Sequence, residues 1–339
     1  MGARVVQEKP FRFAFVMLPK FSSLTLASLV EPLRIANYCS GLHYYQWSYL
    51  SVDGEDVPGC SGYSVPTETI SDAWESWDAV IVCGGWNAER YDNPELLAWL
   101  RQLARRNVVL GAAEMGAYVL ARAGVLNGYA ATIHWHCHNA FRERYPDTRL
   151  KDQLYVIDRK RMTCGGGVAC LDMMIHDIQV RLGKALAAEV ADQVVYPAPR
   201  EAGKSQRDLP PSEPAAMPQV LRQAIELMEA NVERAIRIPQ LAATLGVSQR
   251  KLERLFNKHF SCSAVAFYRR VRLQHARALL TQTDMSVLDI CVACGFASSS
   301  YFSKSYAEQF GMRPREHRLA WPDSDNSPLW PGLNTSTGR

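Results

Sequence analysis

Two patterns of apolar residues divide the chain. Up to about residue 190, short apolar runs alternate with segments in which apolar residues recur at helical spacing, whereas residues after 218 show helical spacing only. The runs predict buried strands at 11–18, 47–52, 78–85, 107–112 and 131–135, and a hairpin at 155–166. The helical spacing predicts helices at 23–37, 94–106, 114–124 and 167–183. This alternation predicts a doubly wound, mostly parallel α/β sheet covered by helices on both faces.

One strand–turn–helix stretch stands out because of its small residues. VLGAAEMGAYVLARAGVL (109–126) has the layout of a nucleophile elbow, in which a strained turn lifts a side chain above a parallel sheet. The residue at the top of the turn is Glu114, and a carboxylate is a poor nucleophile for amides or thioesters. Ligands of such sheets bind at the carboxyl ends of strands, where Gly84, Gly85 and Glu114 are expected to lie.

The C-terminal part contains a repeat. LAATLGVSQRKLERLF (241–256) is similar to ICVACGFASSSYFSKSY (290–306), and each consists of a helix, a glycine turn and a second helix. Ser248 and Ser298 are candidate N-caps of the second helices. The pattern predicts two helix-turn-helix units in an all-α module.

Charge separates the two parts. Residues 215–320 contain 15 Lys/Arg and 8 Asp/Glu, a net charge of +7, while the rest of the chain has a net charge of −3. Only the C-terminal part is therefore expected to bind a polyanion. The nine scattered cysteines favour reduced thiols in a cytoplasm, and no apolar run predicts a membrane span or a signal peptide.

The stretch SVLDICVACGFASSSYFSKSYAEQFGMRPREHR (286–318) resembles the signature of the AraC family of transcription regulators, and the match covers about 219–320. The family usually has Tyr where His317 stands, which we interpret as a tolerated packing change. Cys291 and Cys294 are expected to pack in the core rather than hold a metal.

Each second helix is expected to enter a major groove of DNA. We predict buried stripes of Leu252, Leu255 and Phe256 in the first unit and of Tyr301, Phe302 and Tyr306 in the second. The predicted DNA-binding residues are Ser248, Gln249, Arg250, Glu253, Arg254, Ser298, Ser299, Ser300 and Lys304. Arg250 and Arg254 are the strongest candidates for base contacts, because Arg is the usual bidentate reader of guanine. Lys304 is open to base or phosphate contact, and a solvated face is the favoured interpretation of Arg269, Arg270 and Arg272.

Four further stretches resemble the class I glutamine amidotransferase-like superfamily in its PfpI-like branch, and more narrowly the N-terminal domain of GlxA-type AraC regulators. They are FVMLPKFSSLTLASLVEPLRIAN (15–37), VIVCGGW (80–86), GAAEMGAYVLARAGVLNGYAATIHW (111–135) and TCGGGVACLDMMIHDI (163–178). By this resemblance Glu114 stands where the enzymes have Cys, His134 matches their His, and Glu31 their Glu. Covalent amidase chemistry is therefore expected to be lost, and no catalytic residue or cofactor is expected. His134, His136 and His138 alternate as in a strand, but they lack a convincing set of partners for zinc, so no metal site is expected either.

A ligand pocket is predicted around the altered elbow. Its candidate residues are Glu31, Gly84, Gly85, Trp86, Glu114, Met115, His134 and Trp135. Two buried carboxylates, Glu31 and Glu114, need a cation or a proton, and aromatic faces favour cations. The expected effector is a small cationic or zwitterionic nitrogen metabolite such as arginine, betaine or carnitine, whose catabolism GlxA-type regulators often control. Two alternatives stay open: Glu114 is protonated or bonded to His134 with a structural role, and Gly84 and Gly85 serve only a tight turn.

The predicted domains are an amidotransferase-like sensing and dimerisation domain at 10–196, a linker at 197–218, an AraC-type DNA-binding domain at 219–320 and a disordered tail at 321–339. Together they predict a cytoplasmic, nucleoid-associated bacterial transcription regulator, an activator by the family's usual mode. Its expected partners are double-stranded DNA with repeated half-sites, a small effector, a second copy of the chain and RNA polymerase, without a membrane. The alternatives are a residual hydrolase or isomerase that uses Glu114 and His134 as acid and base, or a DNA-binding protein with an inert N-terminal scaffold.

Overall fold

The computed structural model describes residues 9–71, 77–196, 199–206 and 218–320. The chain divides into two compact units, the N-terminal unit (1–208) and the C-terminal unit (209–339). The predicted tail at 321–339 and residues 197–198 and 207–217 of the predicted linker lie outside the described residues.

The N-terminal unit is built on a seven-stranded sheet. Its strands and those of two small sheets are β1 (Phe11–Met17), β2 (Tyr45–Ser51), β3 (Val57–Pro58), β4 (Ser64–Val65), β5 (Glu68–Thr69), β6 (Ala79–Gly84), β7 (Val109–Glu114), β8 (Ala130–Ala131), β9 (Arg149–Leu150), β10 (Tyr155–Asp158) and β11 (Arg161–Cys164). The order in the large sheet is β10-β11-β7-β6-β1-β2-β5, and only the β10–β11 hairpin is antiparallel. The small sheets are β3–β4 and β8–β9.

Helices cover both faces of this sheet, which confirms the predicted fold class. They are α1 (Ser23–Ser40), α2 (Pro94–Arg105), α3 (Ala117–Arg122), α4 (His138–Arg144), α5 (Val168–Leu182) and α6 (Lys184–Gln193). Successive side chains of β1 point to opposite faces of the sheet and contribute to the hydrophobic core on each face. Phe13 and Phe15 pack under α1, α5 and α6, whereas Ala14 and Val16 pack under α2 and α3.

The strand predicted at 131–135 is wrong beyond Ala131. The edge of β7 is already occupied by β11, and the backbone N–H of Thr132 donates to the Thr163 hydroxyl instead of to a strand. The chain then turns into a 3₁₀ segment at Trp135–Cys137 and into α4. The alternating histidines therefore do not share one face of a strand.

The C-terminal unit is helical and contains both predicted helix-turn-helix units. Its helices are α7 (Gln219–Ala230), α8 (Ile238–Thr244), α9 (Gln249–Phe260), α10 (Ala264–Gln282), α11 (Val287–Ala293), α12 (Ser299–Phe310) and α13 (Pro314–Ala320). The units are α8–α9 and α11–α12, with α10 between them in the chain. Gly246 and Gly295 make the turns at φ +65° and +69°, a region that glycine enters without steric cost.

Candidate functional site

Glu114 lies at the carboxyl end of β7 in a strained conformation. Its φ of +58° is in the left-handed region, which non-glycine residues seldom adopt. Glycines let the neighbouring backbone approach it: a Cβ on Gly84 would lie 2.6 Å from the Gly116 nitrogen, and one on Gly166 would lie 2.9 Å from the Glu114 Cβ. The strained elbow predicted from the sequence is thus present, and close packing accounts for the glycine at 84. Because the positive φ of Glu114 is not helical, α3 begins at Ala117 rather than at the predicted residue 114.

The Glu114 carboxylate is half-buried and accepts a hydrogen bond from the Thr25 hydroxyl at 3.1 Å. The same hydroxyl oxygen accepts from the Gly167 N–H at 2.8 Å, so Thr25 links α1, the elbow and the start of α5. Burial raises the pKa of Glu114 from 4.5 to about 7, although the bond from Thr25 opposes the shift. Thr25 was not among the predicted residues, and its place in the first turn of α1 gives no signal in the sequence.

Glu31 does not join Glu114, so the predicted carboxylate pair is wrong. Glu31 lies on the exposed side of α1 and accepts two hydrogen bonds from the Arg34 guanidinium, at 3.0 and 2.7 Å. The reason is helical geometry: six residues separate Glu31 from Thr25, which rotates its side chain by about 240° from the one that meets the elbow.

His134 also has a hydrogen-bond partner other than Glu114. Its Nδ1 accepts from the His136 backbone N–H at 3.3 Å, and burial together with nearby His138 lowers its pKa to about 4. Among the described residues, the side-chain hydrogen bond of Glu114 goes to Thr25 and not to His134. The acid–base pair that a hydrolase would need is therefore not assembled, and neither is the alternative in which His134 bonds to Glu114.

The remaining predicted ligand residues have different surroundings. Trp135 lies beside His134, with ring centroids 5.5 Å apart. Trp86 is 45% exposed and lines a separate surface pocket of about 110 Å³. Met115 is buried in the core, and a Cβ on Gly85 would lie 1.9 Å from the Lys20 carbonyl oxygen, so both have packing roles.

Two further kinds of site come into question near the elbow, a reactive thiol and a metal centre. The buried Cys83 thiol has its pKa raised by desolvation, which disfavours the reactive thiolate. In the parts of the chain that the structure describes, no group of three or more His, Cys, Asp or Glu is arranged to hold a metal ion.

The second helices of the two helix-turn-helix units, α9 and α12, present polar side chains to solvent. Ser248 and Ser298 cap them as predicted, accepting from the N–H groups of Lys251 and Tyr301. The exposed predicted residues are Ser248, Gln249, Arg250 and Arg254 in the first unit and Ser298, Ser299, Ser300 and Lys304 in the second. These residues form one polar surface on each helix.

Three predictions on these helices need correction. The Glu253 carboxylate accepts from the Ala264 N–H at 2.9 Å, so it caps α10 rather than facing outward freely. Tyr301 is 50% exposed instead of buried, and its hydroxyl accepts from Arg269. Leu255 is only half-buried, whereas Leu252, Phe256, Phe302 and Tyr306 are buried as predicted.

Buried polar contacts hold the second unit together. Arg272 donates to the Gly295 carbonyl at 2.9 Å and lies 4.5 Å from the centroid of the Phe296 ring, so it is not part of a solvated face. His317 is buried with its Nδ1 2.9 Å from the Tyr306 hydroxyl, and burial lowers its pKa to about 4. Cys291 and Cys294 are both buried.

Comparison with known proteins agrees with both units. Residues 13–176 match the DJ-1/PfpI family, and residues 241–320 match a helix-turn-helix domain. The HTH-type transcriptional regulator GbdR of Pseudomonas aeruginosa is 40% identical over 322 residues, 95% of this chain and 88% of that protein. The HTH-type transcriptional regulator GlxA of Rhizobium meliloti is 36% identical over 304 residues, 89% of this chain and 94% of that protein.

The chain belongs to the GlxA-like group of AraC-family transcription regulators. A solved structure of an AraC family transcriptional regulator from Pseudomonas putida is 30% identical, with a TM-score of 0.52, and covers 55% of this chain and 100% of its own. As an AraC-family regulator the chain binds DNA, and it is a regulator rather than an enzyme. Among the described helices of this regulator, none is long and apolar enough to cross a membrane.

Proposed function

We propose that this regulator activates transcription in response to a small cationic or zwitterionic nitrogen metabolite bound at Glu114. The observation that carries the proposal is the Glu114 carboxylate itself. It is half-buried at a strained elbow, and within the described residues it has one hydrogen-bond donor, Thr25, and no cationic partner.

The chemistry of that carboxylate favours a cation. Removal from water disfavours the ionised form, which raises the pKa of Glu114 to about 7, and a nearby positive charge compensates the loss of hydration. We assign the Trp135 ring to the same ligand, because aromatic faces attract ammonium and guanidinium groups. Arginine, betaine and carnitine represent this class, and the resemblance to GlxA-type regulators favours such nitrogen compounds.

A thermal-shift panel of arginine, betaine, carnitine and neutral analogues tests the proposal. A ligand at about 100 times its dissociation constant stabilises the protein that binds it by about 2.7 kcal/mol, which raises its melting temperature measurably. The panel is run on the wild type, on Glu114→Gln and on the matched control Glu31→Gln, which removes an exposed carboxylate from α1. We expect a shift in the wild type and in Glu31→Gln that is lost in Glu114→Gln. A shift of equal size in all three proteins would refute the site.

The two helix-turn-helix units support a proposal about the operator. Recognition helices that enter successive major grooves read segments about one helical turn apart. A homodimer would then bind two copies of such a site, next to which it contacts RNA polymerase. Protection of two repeated half-sites in a footprint supports this arrangement, and protection of one half-site by a monomer opposes it.

A further inference from the structure

Residues 199–206, which we name the strap, lie against the N-terminal unit. They belong to the segment predicted as a linker, yet they are tied to the unit at both ends and in the middle. In the middle, the Lys204 carbonyl accepts from the Leu154 N–H at 3.0 Å, and the Ser205 hydroxyl donates to Asp152 at 3.1 Å.

The first end is an ion pair. The guanidinium of Arg200 donates to the Asp172 carboxylate at 2.7 and 3.0 Å, and the Arg200 backbone N–H donates to the same carboxylate at 2.7 Å. The Asp172 side chain is fully buried on α5, and Tyr196 donates a further hydrogen bond to it. This end is a fixed anchor, because its release would leave a buried charge unpaired.

The second end is the side chain of Gln206, whose carboxamide is held on four sides. Its nitrogen carries two N–H donors and lies 2.8 to 2.9 Å from three acceptors, the Thr132 hydroxyl and the carbonyls of Ile133 and Gln153. Its oxygen accepts from the Trp135 N–H at 2.9 Å. A Cβ on Gly165 would lie 2.3 Å from that oxygen, so only glycine leaves room for it. These groups form a preformed subsite for a group that both donates and accepts hydrogen bonds.

This carboxamide subsite adjoins the elbow at Gly165. Gly165, which contacts the Gln206 carboxamide, is followed by Gly166, whose missing Cβ makes room for Glu114. A ligand that extends from Glu114 along this segment therefore meets the hydrogen-bonding groups that Gln206 already uses.

We propose that the Gln206 carboxamide is an internal ligand of this subsite, and that an effector bound at Glu114 displaces it and releases the strap while Arg200 stays anchored. The inference rests on the proposed function for the position of the effector. The subsite itself takes a primary amide or another group with N–H donors and a carbonyl oxygen. Because displacement and binding are linked, the effector also binds more tightly once Gln206 is removed.

The subsite is tested first without any effector, by hydrogen exchange of the Trp135 and Leu154 amides in the full chain. We expect Gln206→Ala to lose protection at both amides and added propionamide to restore it at Trp135. Lys204→Ala, which removes an exposed side chain and keeps the backbone carbonyl, should exchange like the wild type. Unchanged protection in Gln206→Ala, or rescue by propionate as well as by propionamide, would overturn the subsite.

The competition is tested next with arginine as the probe. We expect calorimetry to show up to about tenfold tighter binding to Gln206→Ala than to the wild type, and arginine to increase exchange of the Leu154 amide in the wild type. Equal affinities with unaltered exchange would overturn the displacement. If arginine binds neither protein, its role as effector fails, and the propionamide experiment still decides the subsite.

Discussion

Glu114 has the backbone conformation of a nucleophile elbow, but its side chain is a carboxylate and not the thiol of the related enzymes. A non-glycine residue at positive φ costs about 1–3 kcal/mol and persists only where its surroundings impose it. Here the imposing contacts are the close backbone at Gly84 and Gly116 and the Thr25 hydroxyl. The elbow therefore presents an oriented carboxylate instead of a nucleophile.

The raised pKa of Glu114 predicts a specific dependence of stability on pH. The folded carboxyl binds its proton up to about pH 7 and the unfolded one only to about 4.5, so folding stability falls as the pH rises between these values. Gln is neutral and still accepts from Thr25. We expect Glu114→Gln to stabilise the N-terminal unit by about 1–3 kcal/mol at pH 8 and by little near pH 4, measured by urea unfolding. The control Glu31→Gln should show no such divergence, and a Glu114→Gln effect independent of pH would contradict the assignment.

The same titration predicts how the effector binds. A cation binds the ionised carboxylate, so protons compete with it below the pKa of about 7. For a ligand whose own charge is constant, we expect calorimetric affinity to fall by up to about tenfold per pH unit below 7 and to level off above it. Affinity that is flat from pH 5 to pH 8 would show that Glu114 does not face the ligand's charge.

Some residues of the site were beyond prediction from the sequence. Thr25 and Gln206 are ordinary polar residues whose roles come from partners 89 and 53 to 74 positions away. Only the packing of the folded unit brings these partners together. Glu114 was predictable, because its strand–turn–helix context is local.

At the scale of elements, periodicity predicted most of the sheet and both helix-turn-helix units. Periodicity failed at residues 131–135, because β11 takes the edge of β7 that they would need. The resemblance to the amidotransferase-like enzymes failed at Glu31, because helical rotation turns this side chain to solvent. Arg272 escaped prediction because its partner, the Gly295 carbonyl, lies in a different element.

The exposed face of α9 carries a prediction about sequence recognition. Arg250 and Arg254 are exposed in its first half, and each is expected to read a base edge worth about 1–3 kcal/mol. Arg250→Ala and Arg254→Ala should weaken operator binding by that amount and relax specificity at one base position, measured by fluorescence anisotropy at fixed salt.

Lys258→Ala is the matched control for these two variants. It removes a positive charge from the last turn of the same helix, away from the end that we propose enters the groove. We expect it to weaken selected and random DNA about equally. If the three variants behave alike, the proposed register of α9 on the operator is wrong.

Arg272 carries a prediction about the stability of the C-terminal unit. Arg272→Met removes a hydrogen bond to the Gly295 carbonyl and the contact with the Phe296 ring. We expect a loss of about 1–3 kcal/mol, since the carbonyl at the turn loses its charged donor. Thermal unfolding of the full chain measures it, and Arg270→Met on the same helix is the control. Equal effects of the two substitutions would show that the buried contact contributes nothing.

At the scale of the whole molecule, charge and motif order predicted a sensing part followed by a DNA-binding part. The structure has two compact units, of which the first matches the DJ-1/PfpI family and the second a helix-turn-helix domain. Ligand control of DNA binding requires that the effector bind one state of the protein better than another. The release of the strap that we propose would supply two such states, and the strap is the last described segment before residues 218–320 in the chain.

The most direct test of ligand control is transcription in vitro from a promoter that carries an operator selected by the full chain from random DNA. The readout is transcript level with and without the ligand identified in the thermal-shift panel. We predict that the ligand raises transcription by the wild type and by Glu31→Gln but not by Glu114→Gln, although all three bind the operator. Transcription that ignores every member of the panel, or that responds equally in Glu114→Gln, would contradict the account.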